Sequence, residues 1–155
     1  MRVSVGFQLP FLALALVSVN LLAAEKRISR ADLPSPVQNA ADEQAKGATV
    51  RGYSKEIENG KVEYEVQIVV NGHSKDITIA PDGSLIEIEE QVSIDVLSPK
   101  VRSSLIGKAA KGQIAKVESL TKHGKIVAYE AQVLTAGKRS EVQVGPNGEA
   151  LDHEE

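Results

Sequence analysis

The sequence has no cysteine. That excludes thiol nucleophiles, thiolate metal sites and disulfides together, so packing and hydrogen bonds must hold the fold. Tryptophan is absent as well, and both phenylalanines, Phe7 and Phe11, fall in the first 24 residues, which leaves Tyr53, Tyr64 and Tyr129 as the only aromatic anchors beyond them. With a formal net charge of −3 and no basic stripe interleaved with aromatics, nucleic acid is excluded as a partner. No phosphate loop, dinucleotide fingerprint or nucleophile elbow is present. His73, His123 and His153 each stand alone, without a second histidine at helical or hairpin spacing, and read as loop side chains rather than zinc ligands. The reading is therefore non-enzymatic, with no cofactor and no metal expected.

Long apolar runs are missing except at the amino end. There Phe11 to Val19 is apolar apart from Ser18, follows Arg2, and gives way to Leu21-Leu22-Ala23-Ala24 and the charged Glu25-Lys26-Arg27. A positive start, a short apolar stretch and small residues before a polar segment describe a secretory signal peptide over residues 1–24. The run falls well short of the roughly 20 residues that span a bilayer. Cleavage near Glu25 would leave no stable membrane span, and the chain is expected to be periplasmic or secreted.

What is present is a repeat. Ala45-Lys46-Gly47 returns as Ala110-Lys111-Gly112, Tyr64-Glu65 as Tyr129-Glu130, Gly72 as Gly137, and Pro81-Asp82-Gly83 as Pro146-Asn147-Gly148, all 65 residues later. Matches at one offset over so long a stretch mark one small module used twice. The expected organisation is a signal peptide at 1–24, a charged leader at 25–32, a first repeat at 33–90, a linker at 91–96 and a second repeat at 97–155. The repeats differ in charge: residues 33–91 carry 5 basic and 11 acidic side chains, residues 97–155 carry 9 and 7. This contrast fits two solvated surfaces of different composition, or else electrostatic docking of one repeat on the other.

Each repeat opens with Ser-Pro, at Ser35-Pro36 and Ser98-Pro99, where serine caps the free amides of a helix start and proline suits the first helical position. Val37, Ala41 and Ala45, then Val101, Leu105 and Ala109, recur every four residues and give each helix an apolar stripe. Gly47 and Gly112 are the expected left-handed stops. The period then becomes two: Val62, Tyr64, Val66 and Ile68 alternate with Lys61, Glu63, Glu65 and Gln67, and the second copy presents Val127, Tyr129, Ala131 and Val133. Earlier strands are expected within Thr49–Glu58 and Ile114–Lys122, a hairpin turn at Asn71-Gly72 with a copy at Ala136-Gly137, and turns at Pro81-Asp82-Gly83 and Pro146-Asn147-Gly148. Glu87, Glu89 and Glu90 read as an edge strand kept soluble by charge. The fold class is α+β: two tandem units of helix plus antiparallel sheet, each helix covering one sheet face.

These residues carry a resemblance. A helix closed by glycine, a strand with Tyr64-Glu65-Val66 or Tyr129-Glu130-Ala131, and a strand ending in Pro-Asp-Gly or Pro-Asn-Gly resemble the PepSY-like domains. The resemblance is closer to their exported beta-lactamase-inhibitor-like branch, over about residues 33–152. It implies an extracytoplasmic protein that restrains or chaperones a secreted peptidase or other hydrolase, and it brings no catalytic residues with it. Partner binding would fall to the sheet face that alternation turns from the helices: Glu63, Glu65, Gln67 and Asp76 in the first repeat, and Glu130, Gln132 and Glu141 in the second. Such a face is expected to be polar and open to water. A small ligand or cation held between the repeats is the alternative role.

Overall fold

The structure, a computed structural model, describes residues 25–153 and 155. The signal-peptide reading over residues 1–24 lies outside them. The order is β1 (Lys26–Ile28), a 3₁₀ turn, α1 (Ser35–Gln44), β2 (Thr49–Glu58), β3 (Lys61–Val70), β4 (His73–Ile79), β5 (Leu85–Gln91), a second 3₁₀ turn, α2 (Pro99–Ala109), β6 (Gln113–Lys122), β7 (Lys125–Thr135) and β8 (Lys138–Val144). All eight strands form one antiparallel sheet in chain order, β1 through β8. The fold is α+β. Among the described residues no helix is long and apolar enough to cross a membrane.

The strands follow from the period-two alternation, and four two-residue turns join them. Asn59-Gly60, Asn71-Gly72, His123-Gly124 and Ala136-Gly137 all have positive φ at both positions, the geometry whose twist matches that of a hairpin. Pairing around the second helix reproduces pairing around the first: Tyr64↔Ile79, Val66↔Ile77 and Gln67↔Asp76 return 65 residues later as Tyr129↔Val144, Ala131↔Val142 and Gln132↔Glu141.

Both helices lie on the same face of the sheet. Under α1 the core is Leu33, Val37, Ala41, Tyr64, Val66, Ile68, Ile77 and Ile79, with Ile88 packed against it. Under α2 it is Leu97, Val101, Leu105, Ala109, Val117, Ala131, Val133 and Val144. Ile88 pairs directly with Thr121 on β6, a strand whose Val117, four residues away and so on the same face, belongs to the second cluster.

Three local expectations are corrected. Ser35 is the first helical residue and its side chain caps nothing; Pro34 holds the cap position, and Gln38 Nε2 instead donates to the Leu33 carbonyl at 2.8 Å. Ser98 does cap α2, accepting from the Val101 amide at 3.3 Å. The stripe sets the phase: Val37 and Ala41 are buried where Val101 and Leu105 are, 64 residues apart, so the two Ser-Pro pairs are not equivalent. Second, Gly47 has φ +74°, but in the second half the left-handed residue is Ala110 at φ 52°. Gly112 serves close approach instead, since a Cβ there would overlap the Val133 methyl and the Thr135 hydroxyl. Third, β5 is not an edge strand. It pairs with β4 on one side and β6 on the other, which makes the sheet continuous. Residues 25–32 likewise contribute a strand paired with β2. Residues 91–96 also build structure: Gln91 ends β5, the Val92 amide bonds to the Val117 carbonyl at 2.9 Å, and Val92 and Ile94 pack on the second core.

Candidate carboxylate site on the open sheet face

Strand alternation sends Ser54, Glu56, Glu63, Glu65, Gln67, Asp76, Thr78, Glu87 and Glu89 to the face away from the helices, together with Glu118, Leu120, Glu130, Gln132, Glu141 and Gln143. This face is not flat. A cavity of about 350 Å³ is lined from seven strands, β2 through β8, by residues that include Glu56, Glu63, Glu65, Glu87, Glu89 and Glu130.

Three pairs of like charges sit directly opposite one another across neighbouring strands: Glu56↔Glu63, Asp76↔Glu89 and Glu118↔Glu130. Like charges at such positions repel and destabilise a sheet. Here they are also partly shielded from water. Glu63 is 8% exposed and Glu118 2% exposed. Burial, helped by the neighbouring carboxylates Glu87, Glu118 and Glu130, pushes Glu89 up to about 8. Burial likewise pushes Glu65 up to about 7 against a hydrogen bond with Gln67, and its Oε1 is buried without a hydrogen-bond partner. Glu56 and Glu63 are raised by burial and then by Glu58. Asp76 is raised by burial, with the nearby Lys116 opposing.

Two lysines offset part of this charge. Lys116 Nζ lies 2.7 Å from Glu118 Oε1, a contact whose angles give charge neutralisation without a well-aligned hydrogen bond. Lys122 Nζ lies 3.2 Å from Glu87 Oε2 and 3.6 Å from Glu155 Oε2. On the second half Gln143 Nε2 donates to Glu130 Oε2 at 2.8 Å, and the Glu155 amide donates to Gln143 Oε1 at 2.9 Å. Carboxylate oxygens of Asp76, Glu89 and Glu118 come within 4.8 Å of one another, as do those of Glu56, Glu58 and Glu63. Oxygen sets of this kind suit hard divalent cations.

The seven residues singled out from the sequence all lie on this face, as alternation predicts. Their expected exposure is corrected. Glu63 is buried, Glu65, Gln67, Asp76, Glu130 and Gln132 are half-buried, and of the seven Glu141 alone is exposed. Glu87, Glu89 and Glu118 were missed as members of the cluster. The period-two run Glu87-Ile88-Glu89 was a signal for the first two, but reading β5 as a soluble edge left them in water.

A scan of protein-family models finds no match, and a search of curated proteins finds none either. Solved structures do match. A Bacteroides eggerthii protein provisionally described as periplasmic superposes with a TM-score of 0.60 at 17% identity, over 76% of this chain and 84% of that one. A DUF2874 family protein from Bacteroides ovatus gives 0.59 at 18%, over 77% and 85%. A BLIP-like protein from Bacteroides fragilis gives 0.55 at 20%, over 79% and 85%. At these identities the likeness establishes the fold.

Proposed function

We propose that this is an exported, periplasmic or secreted, non-enzymatic protein that modulates a secreted or envelope hydrolase by binding it on the carboxylate face. In this reading residues 33–90 and 97–155 are two copies of one PepSY-like unit, fused edge to edge through β5 and β6, with residues 91–96 joining them. The observation that carries the reading is the carboxylate-lined cavity, which draws residues from both halves. Export is supported by the signal-like amino end and by the periplasmic description of one structural neighbour. Inhibition is supported by the beta-lactamase-inhibitor-like resemblance and the BLIP-like neighbour.

A face of this sign suits a partner surface bearing lysine or arginine, because complementary charge speeds encounter and fixes register. The test is a pull-down from envelope extract, followed by affinity measurement with wild type and with a variant carrying Glu56→Gln, Glu58→Gln and Glu87→Gln. The isosteric amides remove charge without burying a lysine. The variant is expected to bind about tenfold more weakly and with a shallower salt dependence, while remaining folded. Unchanged affinity and salt dependence would place the partner elsewhere on the protein.

A second reading rests on Asp76, Glu89 and Glu118, whose oxygens converge across β4, β5 and β6. There the protein would act as a sensor or carrier of a cation between the two halves. Equilibrium dialysis against calcium distinguishes the two, since only this reading expects uptake that Glu89→Gln abolishes.

A further inference from the structure

The two halves differ at one sheet position. After β4 the chain turns through Pro81-Asp82-Gly83, with the Ala80 amide bonded to the Ser84 carbonyl at 2.9 Å, and returns as β5 along the outer side of β4. After β8 it makes the same turn, with the Gly145 amide bonded to the Glu149 carbonyl at 2.9 Å. It does not return as a strand. Among the described residues β7 is the only sheet neighbour of β8, and residues 150–153 and 155 have no strand structure.

The sequence explains the difference. At the 65-residue offset the apolar Leu85, Ile86 and Ile88 become Ala150, Leu151 and His153, so the alternation that seats β5 is lost. The segment leaves toward the carboxylate face, where the Glu155 amide bonds to the Gln143 side chain and Glu155 Oε2 meets Lys122. Packing records the gap. Ile77, covered by Ile88 on β5, is 0% exposed, whereas its counterpart Val142 is half-buried. A cavity of about 490 Å³ lies beside it, lined by Lys108 of α2, Glu141 to Gln143 of β8 and Leu151 to His153. The opposite edge, β1, is three residues long and begins Lys26-Arg27, the short and charged form in which edges resist further pairing. β8 is seven residues long.

We propose that the outer edge of β8 is a docking site for an extended segment of a partner protein, which adds antiparallel as a ninth strand and completes the second half as β5 completes the first. The main-chain ladder supplies attraction, and a side-chain pocket supplies selection. The pairing Ile77↔Ile88 and Ile79↔Leu85 serves as the template for the occupant. It needs an aliphatic side chain opposite Val142 and a second opposite Val144, facing α2, with uncharged or basic residues at the alternate positions, opposite Gln143 and Glu141, because Glu141 lies on the other face. This surface adjoins the carboxylate cavity, with which it shares Gln143, but the backbone edge does not depend on the function proposed for that cavity.

The probe is a synthetic peptide with the sequence of residues 84–92, in which Glu87 and Glu89 are replaced by glutamine to avoid repulsion from Glu141. Its control carries aspartate in place of Ile88. Amide hydrogen exchange of the purified protein is followed with and without each peptide. The proposal expects at least about tenfold slower exchange of amides within Lys138–Val144 with the aliphatic peptide and no change with the control. Unchanged exchange in β8, equal protection by both peptides, or protection confined to β1 would overturn it. So would β8 amides that are already protected without peptide and lose protection on dilution, because the occupant would then be a second copy of this chain.

Discussion

Replacing Ile77 by alanine is expected to lower stability by about 2–5 kcal/mol, the range for large-to-small changes at packed positions. Ile77 is 0% exposed and sits at the centre of the first core. It is flanked by Val66 on β3 and Ile88 on β5 and covered by α1, which packs on β4. The lost methyl groups would leave a cavity that strands hydrogen-bonded on both sides cannot close. Tyr64→Ala should cost a similar or larger amount, about 3–5 kcal/mol, because Tyr64 is 8% exposed in the same cluster. Urea denaturation with an unchanged m-value measures both. A loss below about 0.5 kcal/mol for either would mean that the strand register is wrong, since only exposed positions respond so weakly.

Stability is expected to fall as pH rises from about 5 to about 8, the reverse of ordinary acid denaturation. The sign follows from the carboxylate face. Glu65 and Glu89 hold their protons to about 7 and about 8 in the fold, whereas in the unfolded chain they release them near an ordinary glutamate value. The folded state therefore binds more protons across that window. Its advantage is complete below the unfolded value and is lost as pH passes the folded ones. For one carboxyl, holding its proton tenfold more tightly in the fold is worth about 1.4 kcal/mol. The cavity is open to water and neighbouring acids share the repulsion, so a net loss of about 2–4 kcal/mol is expected between those limits. Lys116 and Lys122 soften the repulsion from one side, while Glu87, Glu118 and Glu130 maintain it. Below about pH 4 the trend should reverse, because Asp32, Asp42 and Asp82 are held low by hydrogen bonds from Ser29, Arg30 and Ser84. Glu89→Gln should raise the melting temperature at pH 8 and flatten the slope. A melting temperature that stays level or climbs between pH 5 and 8 would refute this account.

Much of the fold was legible because it depends on local periodicity. The alternation around Tyr64 and Tyr129, the Asn-Gly turns and the four-residue stripes each name one element and one face. The carboxylate face was legible in direction only. Alternation orients Glu63 and Glu65, but their burial depends on which strands lie beside β3 and how far the sheet extends, and no short window of sequence carries that. For Glu89 and Glu118 the pairing of β5 with β6 is what matters. That contact joins Glu89 to Leu120 and Gln91 to Glu118 across the two halves, and it turns an apparent edge into the middle of the sheet. The first helix start misled for a related reason. The Ser-Pro pairs are strong local signals, and Ser98 caps α2 as they indicate, yet burial of Val37 and Ala41 set the phase of α1 and left Ser35 without a capping role.

The most direct measurement is a carbon-detected NMR titration of the glutamate side-chain carboxyls in the folded protein. If the open face is a closed-in cluster of mutually repelling acids, Glu65 should titrate with a midpoint of about 7 and Glu89 with a midpoint of about 8. Midpoints of about 4 to 5 for both, the range of solvated glutamates, would contradict it and leave the face as ordinary surface.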